Sequence, residues 1–229
     1  MFPSRFGAAL IGLLLTAVAP VHAQSIPSPY RYIEEGQEGG LFVGALSPDR
    51  GRFGFGPAPA MGFGARYAVE LSGPLALEGV WSVLPSHRDV INPARPEGDR
   101  KIDEAEVFLN AIDVRLRFDL TGRRTWHAIQ PFLLAGGGLA FDAAGTQVED
   151  QPLETGDRFD FGTKFTGVFG GGFRIILPRN LVLRADASLS LWKLDYPDGY
   201  RDPERGFENV PNSEWVNNGA LTLGLAYRW

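Results

Sequence analysis

The sequence predicts an all-β fold: one eight-stranded, antiparallel, up-and-down transmembrane β-barrel preceded by a cleavable signal peptide. Three observations predict it. Segment after segment alternates large apolar residues with small or polar ones, the period-two pattern of a strand with two unlike faces. The connections between those segments alternate between long and short. The N-terminus reads as an export signal. The alternation is cleanest at the end of the chain, where Leu221, Leu223, Leu225, Tyr227 and Trp229 interleave with Thr222, Gly224, Ala226 and Arg228. A strand that closes a barrel can stop on an aromatic residue, because closure leaves no edge to cover.

The export signal occupies residues 1–23. Arg5 gives a basic start, residues 8–21 carry no charge, and Val21-His22-Ala23 puts small residues where a signal peptidase reads. Cleavage is expected between Ala23 and Gln24. The apolar run is shorter than the roughly 18 to 20 residues of a spanning helix, and Pro20 interrupts it. Residues 24–38 follow as a polar, proline-bearing periplasmic lead-in with no domain of its own, and 39–229 form the barrel domain. The 229 residues contain no cysteine, which excludes disulfides, thiol chemistry and cysteine metal sites. A net charge of −5 on an exported chain argues against nucleic acid as a partner.

Eight strands follow in order. The first spans 39–47. The second, 60–71, puts Met61, Phe63, Ala65, Tyr67, Val69 and Leu71 on one face. The third, 75–84, sets Leu75, Leu77, Gly79, Trp81 and Val83 against Ala76, Glu78 and Ser82. The fourth, 104–119, sets Phe108, Ile112, Val114, Leu116 and Phe118 against Asp113, Arg115 and Arg117, with Asn110 breaking the apolar face. The fifth, 127–142, is too rich in glycine at Gly136-Gly137-Gly138 for its faces to be assigned. The sixth, 161–177, sets Phe165, Phe169, Phe173 and Ile175 against Lys164, Thr166, Gly170, Gly172 and Arg174. The seventh, 181–194, sets Leu181, Leu183, Ala185, Ala187, Leu189 and Leu191 against Arg184, Asp186, Ser188 and Ser190. The eighth begins near 214. Most reach the roughly 9 to 11 residues of a tilted membrane strand. Sixteen of the 17 prolines lie outside these segments, Pro131 being the exception, as ladder hydrogen bonding requires.

Residues 48–59, 85–103, 143–160 and 196–213 make long connections; 72–74, 120–126 and 178–180 make shorter ones. In a meander the four long loops share one rim, the asymmetry of bacterial outer-membrane barrels, with long loops outside the cell. Both termini then fall in the periplasm. The polar face decides which way the barrel is turned. It is mostly small residues with sparse charges of both signs, which suits a crowded interior rather than a water-washed surface. Arg66, Glu70, Glu78, Asp113, Arg115, Arg117, Lys164, Arg174, Arg184, Asp186 and Arg228 are therefore expected to pair inside the lumen, because an isolated buried ion is costly. Phe108, Trp81 and Trp215 toward one rim, and Phe118, Tyr227 and Trp229 toward the other, are placed as two aromatic girdles.

These features resemble the small outer-membrane β-barrel family of the OmpA/OmpX type. Leu223-Gly224-Leu225-Ala226-Tyr227-Arg228-Trp229 resembles the C-terminal signal that barrel-assembly machinery reads in that group, with Leu223, Leu225, Tyr227 and Trp229 as its apolar positions. Pro131-Phe132-Leu133-Leu134-Ala135-Gly136-Gly137-Gly138 resembles the family's Pro-Tyr-x-x-x-Gly-x-Gly strand. Gly171-Gly172-Phe173-Arg174-Ile175 resembles its Gly-Gly-x-Arg-x strand. The resemblance implies an integral outer-membrane protein with a structural or surface-interaction role and a side-chain-filled lumen. Its partners would be outer-membrane lipids, lipopolysaccharide, the assembly machinery and a surface ligand reached through the long loops.

Two other readings share this architecture. One is an outer-leaflet lipid A acyltransferase or deacylase, for which Ser86, His87 and Asp89 supply the residue types of a hydrolytic relay. Neighbouring strand residues point apart, which counts against it. The other is a narrow channel or an adhesin. The glycine clusters lack the lysine and helix of a phosphate loop. Acidic residues in the third and fourth long loops (Glu149, Asp150, Glu154, Asp157 and Asp160; Asp195, Asp198, Asp202, Glu204 and Glu208) could share a divalent cation with lipopolysaccharide phosphates. Their spacing matches no calcium loop. No catalytic residue, metal or cofactor is assigned.

Overall fold

A computed structural model describes residues 28–34, 36–145 and 147–229. The export signal and its cleavage point, Ala23 and Gln24, lie outside the described residues. Ten strands occur among those described: β1 (Tyr30–Tyr32), β2 (Gln37–Ser47), β3 (Ala60–Glu70), β4 (Leu75–Ile91), β5 (Lys101–Asp119), β6 (Arg124–Trp126), β7 (Ile129–Asp142), β8 (Thr163–Ile176), β9 (Leu181–Asp195) and β10 (Ser213–Arg228). Eight of them, β2 to β5 and β7 to β10, pair antiparallel in sequence order. β10 returns to β2 through ten paired positions from Gly219↔Ser47 to Arg228↔Glu38, and β7 pairs β8, so the sheet closes.

The apolar face looks outward. Leu41, Met61, Leu77, Ile112, Val114, Phe165, Leu221, Leu223 and Leu225 are all exposed, while Glu78, Arg117, Arg174 and Arg184 are buried. A soluble barrel would have the opposite sidedness. The faces of β7 are resolved too: Phe132 and Leu134 are buried and Leu133 is exposed. Glycine carries no face signal in sequence, but its placement is physical. A Cβ at Gly138 would lie 2.0 Å from the Ile112 carbonyl oxygen and 2.7 Å from Asp113 Cα. Asn110, the polar break in an outer face, is buried. Its side-chain oxygen accepts from Trp81 Nε1 at 3.1 Å, and its amide donates to the Phe108 carbonyl at 3.0 Å.

Two boundaries differ from the sequence reading. Residues 85–103 are not one long loop. β4 and β5 stay paired out to Ile91↔Lys101, whereas β3 leaves β4 at Phe63↔Val83, so this hairpin stands above the barrel wall. Pro85 therefore lies inside a strand. Its partner Phe108 turns its backbone groups toward β7, donating to Asp142 and accepting from Ala143. Pro85 and Phe108 are thus a non-hydrogen-bonded pair, and the missing proline N–H falls on the side where pairing with β3 has already stopped. The second difference is the lead-in. β1 pairs with β6 across from β2, and Ile33, buried, donates its N–H to the Arg123 carbonyl at 2.9 Å. The lead-in thus crosses the short-turn mouth of the barrel.

Candidate functional site

The lumen holds one extended ionic network. Inward positions recur every second residue, so Asp113, Arg115, Arg117 and Asp119 form a column on β5. Arg117 donates to Glu78 at 2.7 Å and to Asp119 at 2.9 Å. Glu78 also receives Arg184, which reaches Asp186 at 3.1 Å. Asp186 in turn takes Arg66 at 2.9 Å, and Arg66 reaches Thr222. Toward the short-turn end, Arg174 binds Glu38 and Gln130 and lies 3.6 Å from Asp119 and 3.8 Å from Glu70. Arg228 joins Glu70 at 3.1 Å. Arg115, Asp113 and Thr166 make a smaller group, with 2.8 and 2.9 Å contacts. The arginines number six (66, 115, 117, 174, 184, 228) and so do the carboxylates (38, 70, 78, 113, 119, 186), so this filling is neutral.

Ten of the eleven residues singled out from sequence line this lumen. Lys164 does not join them: it pairs with Asp195 at the long-loop rim, where Asp195 is exposed. Glu38, Asp119 and Gln130 belong to the network and were missed. Glu38 stood in the assumed lead-in, yet its phase with inward Phe42 on β2 would have found it.

Above the ions the long loops fold into an aromatic cap. Phe53 and Phe55 come from the β2–β3 loop, Phe159 and Phe161 from β7–β8, and Tyr196, Tyr200 and Phe207 from β9–β10. Phe55 stacks on Phe159 with ring centroids 5.0 Å apart and meets Tyr200 edge-on at 4.8 Å. The β4–β5 hairpin contributes Leu84, Val107 and Leu109. Tyr200 Oη donates to the Ile91 carbonyl at 2.9 Å. Burial, with the Asp157 charge second, pushes that phenol upward, so it stays neutral. Ion pairs tie the loops together: Arg88 with Asp150, Arg205 with Asp157 at 2.8 Å, and Arg50 and Lys101 with Asp89, each at 2.8 Å. A chamber of about 60 Å³ separates the two layers, with Leu84, Leu109 and Trp192 above and Arg66, Asp113 and Arg115 below. At about 30 Å³ per water, that is room for about two waters.

The terminal aromatic residues lie at the opposite end. Trp229 exchanges both backbone hydrogen bonds with Gln37 at 3.0 Å. Its ring lies 6.2 Å from those of Tyr67 and Tyr227 on the outer face.

Comparison with solved structures gives the same architecture. The outer-membrane protein OprG from Pseudomonas aeruginosa aligns over 88% of this chain and 98% of its own, with a TM-score of 0.54 and 12% identity. The chain has the fold of the small outer-membrane β-barrels. Neisserial surface protein A aligns over 88% of this chain and 98% of its own at a TM-score of 0.46 and 16% identity. Ail of Yersinia pestis covers 87% of this chain and 100% of its own at 0.40 and 16%. No protein-family model matches the chain, and no curated protein matches it.

On this outer-membrane fold, Ser86, His87 and Asp89 are not brought together. Ser86 Oγ donates to the Ala58 carbonyl at 2.6 Å, and Asp89 is held by Arg50 and Lys101. Six of the ten acidic loop residues are engaged in internal pairs: Asp150, Glu154, Asp157, Asp195, Asp198 and Asp202 each meet an arginine or lysine. No cluster of three or more metal-ligating side chains occurs among the described residues.

Proposed function

We propose that this protein is an integral outer-membrane barrel that is closed to ions and meets the cell's surroundings through its folded long-loop cap. One observation carries the reading: an apolar exterior encloses a charge-balanced lumen. Lipid has no use for the interior charges, and water has none for the exterior leucines and phenylalanines. In this reading the protein is exported by residues 1–23 and cleaved before Gln24. Leu223, Leu225, Tyr227 and Trp229 serve as the assembly signal, and both termini face the periplasm. A cap held by long-range aromatic contacts presents a fixed shape rather than mobile loops, which lowers the ordering cost of binding a surface partner.

The test combines three readouts. The protein should fractionate with outer membranes, and its unboiled form should migrate differently from the boiled form on a detergent gel. Planar-bilayer recordings should give no unitary conductance. Recovery in the soluble fraction would defeat the membrane assignment, and regular conductance steps would defeat the closed lumen.

A further inference from the structure

The outer wall is not uniformly filled. Across β8, β9, β10 and β2 it carries two adjoining hollows of about 470 and 580 Å³ that share Ala187 and Leu221. Their floor is Gly171, Ala185, Ala187 and Gly219, and Phe169 and Leu221 stand beside it as walls. Register puts these residues in rows: Phe169, Leu189 and Gly219; then Gly171, Ala187 and Leu221; then Phe173, Ala185 and Leu223. Neither crowding nor backbone conformation demands the glycine at 219. A Cβ there would meet no heavy atom within 4 Å, and its φ is not positive. A strand glycine with nothing to avoid lowers stability. At this site it leaves room.

Four residues up the strand from Leu189, at the long-loop rim, Lys193 points outward and is exposed. It pairs in register with Trp215, and Phe165 stands on the other flanking strand. Trp215 is 67% exposed and Phe165 is 83% exposed. The adjacent acid, Asp195, is taken by Lys164, and no ion pair engages Lys193 among the described residues. An unpaired cation between two bare aromatic rings is the chemistry of a headgroup region. From Lys193 down to Ala185 the strand descends about 20 Å, allowing ~3.3 Å per residue and ~40° of tilt. One leaflet of hydrocarbon is roughly 15 Å deep.

We propose that this face seats one lipid A molecule of the outer leaflet, with a phosphate on Lys193 and an acyl chain in the hollow floored by Gly219 and Ala187. The inference rests on the outer-membrane reading given above and adds to it a place on the wall and the residues that hold the lipid. Charge complementarity selects the ligand: the site offers one cation at headgroup height above an apolar trough. The rim chosen, that of the long loops, selects the leaflet.

The experiment is lipid retention by the whole barrel. Detergent-purified protein is equilibrated with bisphosphorylated lipid A, with its dephosphorylated form, or with phosphatidylglycerol, and bound lipid per barrel is read by native mass spectrometry. Lys193→Gln should lower retention of bisphosphorylated lipid A at least fivefold and leave the dephosphorylated form unchanged. Gly219→Leu, whose Cβ meets no heavy atom within 4 Å and whose side chain would fill the trough, should lower retention of both. Gly79→Leu, at an equally open site on β4, should change neither. Unchanged retention in Lys193→Gln and Gly219→Leu would overturn the proposal, as would an equal loss in Gly79→Leu or equal retention of phosphatidylglycerol. Loss of the heat-modifiable gel shift in the unaltered protein would count against the outer-membrane reading instead, a separate result.

Discussion

The lumen and the cap are stabilised in opposite ways. Inside the barrel wall the interior is ionic: Glu78 receives two arginines and is fully buried. A few ångströms higher the interior is aromatic, and Phe55, Phe159 and Tyr200 meet ring to ring. The lumen is bounded by a continuous ladder, so its charges are fixed by strand register. The cap is bounded by loops, so its rings must themselves hold the backbone in place. The lesson is one of coupling: the lumen should fail only with the whole barrel, whereas the cap can open alone.

The sharpest break of that comparison is Glu78→Ala. It removes the carboxylate that Arg117 and Arg184 share, leaving them Asp119 and Asp186 and the lumen one uncompensated positive charge, and losing one partner of a buried ionic group costs about 3–5 kcal/mol. The whole loss should appear in urea unfolding from lipid vesicles as one cooperative transition at lower denaturant. Phe55→Ala removes the ring at the centre of the cap. Large-to-small aromatic changes cost about 3–5 kcal/mol in a packed core, but here the loss should be felt locally. Loop proteolysis should accelerate strongly while the heat-modifiable gel shift survives. A concerted loss of barrel and cap would show that the two regions are one unit.

Smaller effects sharpen the picture. Asn110→Leu leaves the half-buried Trp81 Nε1 without its acceptor and should cost about 1–2 kcal/mol in the same urea assay, with no change in loop cleavage. The smallest effect is one of pH. Burial pushes the Asp89 carboxyl upward, but the Lys101 hydrogen bond and the Arg50 charge outweigh it and hold it below the usual range. A depressed carboxylate contributes stability above its unfolded pKa of about 3.9, and that contribution is lost as pH falls through the folded value. Pepsin cleavage at the base of the β4–β5 hairpin should therefore rise below about pH 3.9. In Asp89→Asn that step should be absent.

The barrel was legible because period-two alternation is a local signal. On β9, Leu183, Ala185, Ala187 and Leu189 against Arg184, Asp186 and Ser188 state both faces in seven residues. The extension of β4 was not legible for the reason that β9 was. Beyond Val83 the strand leaves the wall, both faces meet water or loops, and Ser86, His87, Arg88 and Asp89 carry no alternation. The faces of β7 were hidden because glycine has no polarity to read. The cap was hidden most deeply. Its rings lie between Phe53 and Phe207 with no period, and their contacts join loops more than a hundred residues apart. The polar lumen stood in between: membership followed from phase, while pairing did not, and Lys164, one residue from the long-loop end of β8, pairs with Asp195 at the rim.

The sidedness of the wall is directly measurable, because the chain contains no cysteine. Single cysteines placed in turn from Leu221 to Tyr227, labelled with a nitroxide in lipid vesicles, report collisions with oxygen in the bilayer or with a water-soluble relaxant. Oxygen access should peak at 221, 223 and 225 and fall at 222, 224 and 226, with the water-soluble agent reaching none of the first set. High access of that agent at 221, 223 and 225 would put the leucines in water and contradict the account.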